Sequence, residues 1–389
     1  MTEQRKHLPP PIWVAKPAAF QTMVDRLKSQ PALAVDTESN SLYVYREQVC
    51  LIQISTPSAD YLIDPLALAD LSALGPLLAD PQVLKVFHGA EYDLITLHRD
   101  FGFTVANLFD TMWASRILGW PAHGLADLLW SHFGAAIDKR YQRANWGVRP
   151  LPPEQLDYAR LDTHYLLALH RLQAQELERT RRWPQAQDRF AKLCKTRWET
   201  KGFDPDGFWH VSGAHDLDDA GRGVLRALYL LRDQQAQVEN RPPFKMLSNG
   251  ALLILSEQRP QTIEELYKLR GVSSPLVRKQ GHALLKAIHQ GASQPLGWDQ
   301  RPRPAANDNH NSRPTAECQA RYEALRTWRN AAAQARGVEP DIILTNQTLW
   351  AIARRRPRSR AELAGDGLLA PWQVDELGEE VLAVLKRTK

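Results

Sequence analysis

Cysteine is scarce in this chain, with three in 389 residues: Cys50, Cys194 and Cys318. They lie far apart and none sits in a Cys-x-x-Cys spacing. That argues against a disulfide framework and against a zinc knuckle. Each suits the place of a small buried apolar residue in the reducing setting of a cytoplasmic protein. Long apolar runs are missing as well. No stretch approaches about 18 consecutive apolar residues, so nothing reads as a membrane span. The opening MTEQRKHLPPPIW has neither an apolar h-region nor a small-residue cleavage site, so no secretory signal is expected. A large charge excess is also lacking, the net charge being +5. What excess there is lies on one side. Residues 1–200 hold 22 Lys+Arg and 22 Asp+Glu, whereas residues 201–389 hold 27 and 22. A basic C-terminal half beside a balanced N-terminal half points to a polyanionic partner.

What is present is the composition of a soluble globular chain, 43% hydrophobic and 24% charged. It is too long for one ordinary core, so two or three domains are expected. The N-terminal part alternates. LAVDTE, VCLIQIST, DYLIDP and VLKVFHG read as buried strands; LSALGPLLAD, AEYDLITLHRDFG and NLFDTMWASRILG read as helices. Strands followed by crossover helices imply an α/β sheet with covered faces. From about residue 151 the pattern turns helical and opens on prolines.

The second half is helical and repeats itself. LRALYLLRDQQAQ (225–237) aligns without a gap with YEALRTWRNAAAQ (322–334). At the same offset LSNGALLILSEQRPQTIEEL (247–266) aligns with LTNQTLWAIARRRPRSRAEL (344–363). This is duplication of a small helical module. The expected plan is an α/β domain over 1–205, helical modules over 215–291 and 316–389, and a flexible linker over 292–315 that carries RPRPAANDNHNSRPT. The α/β domain is expected to fold alone when the chain is cut after about residue 205.

The chemistry begins in LAVDTESN (33–40). On a strand, residues two apart share a face, so Asp36 and Glu38 project together. Two carboxylates side by side repel, and a hard divalent cation relieves that repulsion. A helix cap or a solvated strand end suits the pair equally well. Two further features narrow the choice. Asp93 lies near the start of a helix in HGAEYDLITL. Tyr158 and Asp162 lie four apart on one helix face in LDYARLDTHYLL.

In this order, VDTES, HGAEYDL and YARLDTHYL resemble the three motifs of the ribonuclease D family. That family lies in the DEDD exonuclease superfamily, in the subtype with a tyrosine in its third motif. The stretch DKRYQRANWGVRPLPPEQLDYARLDTHYL is particularly similar, and the duplicated module resembles the helicase-and-ribonuclease-D C-terminal (HRDC) domain. The resemblance implies a ribonuclease H-like mixed sheet with flanking helices, followed by two small all-α helical bundles. It implies a 3′-5′ exoribonuclease that releases nucleoside 5′-monophosphates. Asp36, Glu38 and Asp162 would share one divalent metal, and Asp36 with Asp93 a second, either Mg²⁺ or Mn²⁺. Tyr158 would orient the attacking water, since a free tyrosine pKa near 10 makes it a poor base alone. The expected partner is RNA with a single-stranded 3′ end, a tRNA precursor by family expectation, with no membrane and no obligate protein partner. Candidate substrate contacts are His88, together with Lys139, Gln142, Trp146 and Arg149 in DKRYQRANWGVR (138–149), where cations for phosphates are interleaved with rings for stacking. Trp146 suits equally the pin of a solvated loop. A DNA-directed exonuclease of the same superfamily, or a catalytically silent nucleic-acid scaffold, remains the alternative.

Overall fold

The structure is a computed structural model and describes residues 8–200, 202–302 and 314–388. It divides into two compact units. The first unit holds a six-stranded mixed sheet in the order β1-β4-β3-β2-β5-β6. Its strands are β1 (Ile12–Val14), β2 (Ala32–Ser39), β3 (Val49–Ser55), β4 (Asp60–Ile63), β5 (Leu84–Phe87) and β6 (Leu108–Asp110). β2, β3 and β4 form an antiparallel meander. β5 runs parallel to β2, β6 parallel to β5, and β1 parallel to β4. Every residue of β3 (VCLIQIS) is buried, as befits an apolar, β-branched strand covered on both faces. β2 is buried only in its first half; from Asp36 onward it is partly open.

The helices around this sheet are α1 (Pro17–Leu27), α2 (Leu74–Ala79), α3 (Glu91–Phe101), α4 (Thr111–Leu118), α5 (Leu125–Phe133), α6 (Pro153–His164), α7 (Leu166–Arg179) and α8 (Trp183–Leu193). Several differ from the sequence reading. NLFD does not start a helix: Leu108–Asp110 forms β6, and Asp110 then caps α4 by accepting from the N–H groups of Met112 and Trp113. β2 turns back into antiparallel β3 without a helix between them. The helix expected from residue 151 breaks at Tyr165 into α6 and α7. β1 carries too few residues for its periodicity to be read. Cys50 and Cys318 are buried, Cys194 is half-buried, and all three are free thiols.

The second helical module belongs to this first unit and seats on the nuclease side of it. Arg116 on α4 binds Glu339 at 2.6 Å and Asp341 at 2.8 Å. Arg182 donates to the Arg336 carbonyl at 2.9 Å, and Gln185 to that of Ile342 at 3.0 Å. Ile342 is itself buried among the apolar side chains that cover the sheet, with Val338 packed beside it. The α/β core is therefore completed by a residue from the far end of the chain, which sequence periodicity could not reveal.

The second unit comprises residues 40–48 and the first helical module. The two modules share their internal bonds as well as their sequence register. Arg232 donates to the Leu247 carbonyl and to Asn249 Oδ1 at 3.2 and 2.7 Å; Arg329 does the same to Leu344 and Asn346 at 3.1 and 2.7 Å. Arg259 and Arg356 end equivalent helices with φ of 47° and 46°. Part of the expected linker is packed rather than free: Leu296 N–H donates to the Asp219 carbonyl at 2.8 Å, and Trp298 lies edge-on to Trp209. The rest of that linker, 303–313, lies outside the described residues.

Candidate active site

The site lies at the open end of β2. Alternation puts Asp36 and Glu38 on one face, opposite Gln53 and Leu51 of β3. The register shifts between Glu38 and Ser39, which ends regular pairing just past the second acid. α6 crosses this face and brings Asp162 over it. The carboxylates of Asp36, Glu38 and Asp162 each offer an oxygen within 4.8 Å of the others. Asp93 enters from the first turn of α3, where a negative charge is favoured. Its Oδ1 accepts from the Thr37 amide at 3.0 Å and from the Thr37 hydroxyl at 2.5 Å. The residue between Asp36 and Glu38 is thus tied directly to the third motif acid in chain order.

All four acids are held above the usual carboxylate range. Burial is the largest cause for each. Asp36 is then raised by Asp93, Asp162 and Glu38, and Glu38 by Asp162 and Asp93. Asp93 is pushed up to about 7 although its bonds to Thr37 oppose the rise. Asp162 is pushed up to about 8 although the Tyr158 hydroxyl opposes it. Among the described residues, no cationic side chain is a leading influence on any of the four. A set of hard oxygen donors, desolvated and lacking a counter-charge, fits a divalent cation.

Tyr158 sits one turn before Asp162. Burial first, then Asp162, Glu38 and Asp36, push its phenol far above its ordinary value, so it stays protonated and acts as an O–H donor. Its ring is backed by Tyr141 and Trp146, with centroids 5.9 and 6.0 Å away.

The candidate contacts divide. His88, Lys139 and Gln142 line the same cleft of about 400 Å³ as the four acids and Tyr158. Trp146 and Arg149 do not. Trp146 is 1% exposed and lies behind Tyr158. Arg149 forms a two-pronged pair with Asp64 at 2.7 and 2.8 Å and also donates to the carbonyls of Cys50 and Trp146. Its guanidinium is consumed by that fork, so both residues support the site rather than face it.

The sequence reading passed over three features. Tyr92 and residues Gly124–Ala126 also line the cleft; the Gly124 stretch carries no local signal. Asp110 is fully buried, and its two carboxylate oxygens accept from the N–H groups of Gly89 and Ala90 at 3.0 and 2.8 Å. It thereby fixes the approach to α3, and so Asp93. An Asp-Thr pair before an apolar helical run was the available sign of such a cap.

Residues 11–178 match the 3′-5′ exonuclease family, and residues 222–288 and 319–385 each match the HRDC domain. The chain is 31% identical over 294 residues to "Protein RRP6-like 1" of Arabidopsis thaliana, covering 72% of this chain but 46% of that protein. It thus spans less than half of that curated relative. It is 29% identical over 379 residues to "Ribonuclease D" of Gluconacetobacter diazotrophicus, covering 97% of this chain and 93% of the other. Among solved structures, the catalytic core of RRP6 from Trypanosoma brucei superposes with a TM-score of 0.66 at 30% identity, over 73% of this chain and 80% of that one. With the acids in motif order and both HRDC modules in place, the chain belongs to the ribonuclease D-like DEDD 3′-5′ exonucleases.

Proposed function

We propose that this chain is a metal-dependent 3′-5′ exoribonuclease that removes nucleoside 5′-monophosphates from single-stranded RNA ends, with tRNA precursors as its substrate and the cytoplasm as its workplace. The observation that carries this reading is the meeting of Asp36, Glu38 and Asp162 within 4.8 Å in a cleft that also holds Asp93 and Tyr158. Asp36, Glu38 and Asp162 would hold one divalent cation and Asp36 with Asp93 another, Mg²⁺ or Mn²⁺. Bound there, the ions would neutralise charge on the attacking and leaving oxygens of a phosphodiester.

The remaining work falls to the chain itself. Tyr158, kept protonated and bonded to Asp162, orients the attacking water rather than deprotonating it. Thr37 holds Asp93 against the Asp36–Glu38 backbone, so the two sides of the acid set keep a fixed separation. Lys139, more than half exposed and held only by a long 3.9 Å ion pair to Asp127, lines the cleft where it can meet a phosphate. Tyr92 offers an exposed ring at the rim on which a base can stack.

The test is incubation of the full chain with 5′-labelled RNA and DNA oligonucleotides and Mg²⁺, Mn²⁺ or EDTA. A ladder shortening from the 3′ end of RNA, abolished by EDTA, is the expected result. Shortening of DNA alone would assign the substrate to the other nucleic acid, and no shortening with either ion would remove the nuclease reading.

A further inference from the structure

His88 occupies the cleft in a defined tautomer. Its Nδ1 lies 2.9 Å from the Thr111 hydroxyl oxygen. That hydroxyl has one hydrogen, and it is given to the Phe87 carbonyl at 3.0 Å. With that hydrogen on the Phe87 carbonyl, Thr111 accepts from His88, which assigns the proton of the neutral ring to Nδ1 and leaves Nε2 a bare lone pair. Thr111 cannot easily turn away. It is fully buried, and its own carbonyl accepts from Gln173 at 2.8 Å. Burial also keeps the ring neutral, bringing its pKa down to about 4. Nε2 has no protein partner among the described residues, and the ring lines the same cleft as Asp36 and Asp93.

A fixed acceptor nitrogen selects its ligand by chemistry. A phosphodiester offers no donor at neutral pH and would meet lone pair with lone pair. A ribose hydroxyl offers an O–H, and every ribonucleotide presents it whatever its base. Building on the nuclease reading above, we propose that His88 is a specificity-determining residue that accepts, at Nε2, a hydrogen bond from a hydroxyl of the 3′-terminal ribose. Thr111 is its positioning residue: it acts by holding the proton on the far side of the ring. The consequence is that the enzyme recognises the sugar at the chain end without reading the base.

The experiment uses the full chain with Mg²⁺ under single-turnover conditions and three 5′-labelled oligoribonucleotides that differ only in the last sugar: ribose, 2′-deoxyribose or 3′-deoxyribose. A buried group left unpaired discriminates strongly, so one of the two deoxy ends should be released at least about tenfold more slowly than the ribose end by the wild type. Which of them is slow identifies the hydroxyl. In His88→Phe, which keeps a flat ring but no acceptor, the ribose end should slow to the rate of the deoxy end, and the ratio should fall to about two or less. Thr111→Val should shrink the ratio as well, and Thr111→Ser should restore it, an outcome that a purely structural role for the threonine does not give. If His88→Phe proves unfolded by its melting curve, the Thr111 pair carries the test alone. A ratio unchanged in the variants, or absent in the wild type while all three substrates are cut, overturns the proposal and leaves the nuclease reading standing. Failure of the wild type to cut any of the three overturns both.

Discussion

Asp36 concentrates the site's repulsion in one side chain, desolvated and faced in turn by Asp93, Asp162 and Glu38. Asp36→Asn removes the charge that both proposed cations would share. Cleavage should fall by more than about 10³-fold, beyond the loss of a single oxyanion donor, while RNA binding survives. Gel-shift and single-turnover assays separate the two; cleavage within a few-fold of wild type would exclude the shared-ligand arrangement. The same repulsion acts on stability. Each acid holds its proton longer in the folded state than in the unfolded one. Without metal the fold is therefore least burdened below about pH 4 and loses stability as pH rises toward about 8, through the raised values of Asp93 (about 7) and Asp162 (about 8). Saturating Mg²⁺ should accordingly raise the melting temperature little at pH 5.5 and markedly at pH 8.5. Equal shifts at both pH values would mean that these carboxyls do not exchange protons for the ion. Tyr158 is expected to behave differently from the acids. Tyr158→Phe keeps the ring packed on Trp146 and Tyr141 but removes the hydroxyl, so rate should drop about 10²–10⁴-fold with metal affinity nearly unchanged. A wild-type single-turnover rate would remove the phenol from the mechanism.

At the scale of elements, β6 and α4 matter because Asp110 joins them to the start of α3. One carboxylate caps α4 and also holds Gly89 and Ala90, where Gly89 has a φ of 75°. Asp110→Ala leaves buried N–H groups unmet, at about 1–3 kcal/mol, and removes a helix cap besides. Lower melting temperature should be accompanied by lower activity, because Asp93 depends on that turn. Asp110→Ala with full activity and unchanged melting would show that α3 is positioned without it.

For the whole molecule, the second module is part of the nuclease's own packing. A chain ending at Pro302 would uncover the apolar surface that Ile342 and Val338 cover and would leave Arg116 without Glu339 and Asp341. Losing a buried side chain such as Ile342 costs about 1.5–3 kcal/mol, so melting should fall by about 5–10 °C for a core of this size. The chain cut after about residue 205 is still expected to fold, with that loss of stability. A truncated chain that melts with the wild type would show that the module only rests on the surface.

Local pattern determined much of this protein. Apolar runs announced β2, β3, β4 and β5, since a strand covered on both faces needs them, and gapless register announced two copies of one helical module. The motif acids and Tyr158 were singled out because VDTES, HGAEYDL and YARLDTHYL resemble, in that order, the three motifs of the ribonuclease D family. Tertiary structure decided what those residues meet. That Asp162 closes on Asp36 and Glu38, and that Thr37 bonds to Asp93, depends on α6 and α3 crossing the sheet, which no short-range periodicity encodes. Arg149 and Trp146 belonged to a promising basic and aromatic stretch, yet Asp64, 85 residues earlier in the chain, takes the guanidinium and Tyr158 covers the indole. β6 stayed hidden because three residues give no period, and the role of Asp110 because its partners lie 20 and 21 residues upstream. The sequence by itself named the chemistry. Only long-range packing chose which side chains face the cleft and which are consumed in building it, because burial and pairing are properties of neighbours in space.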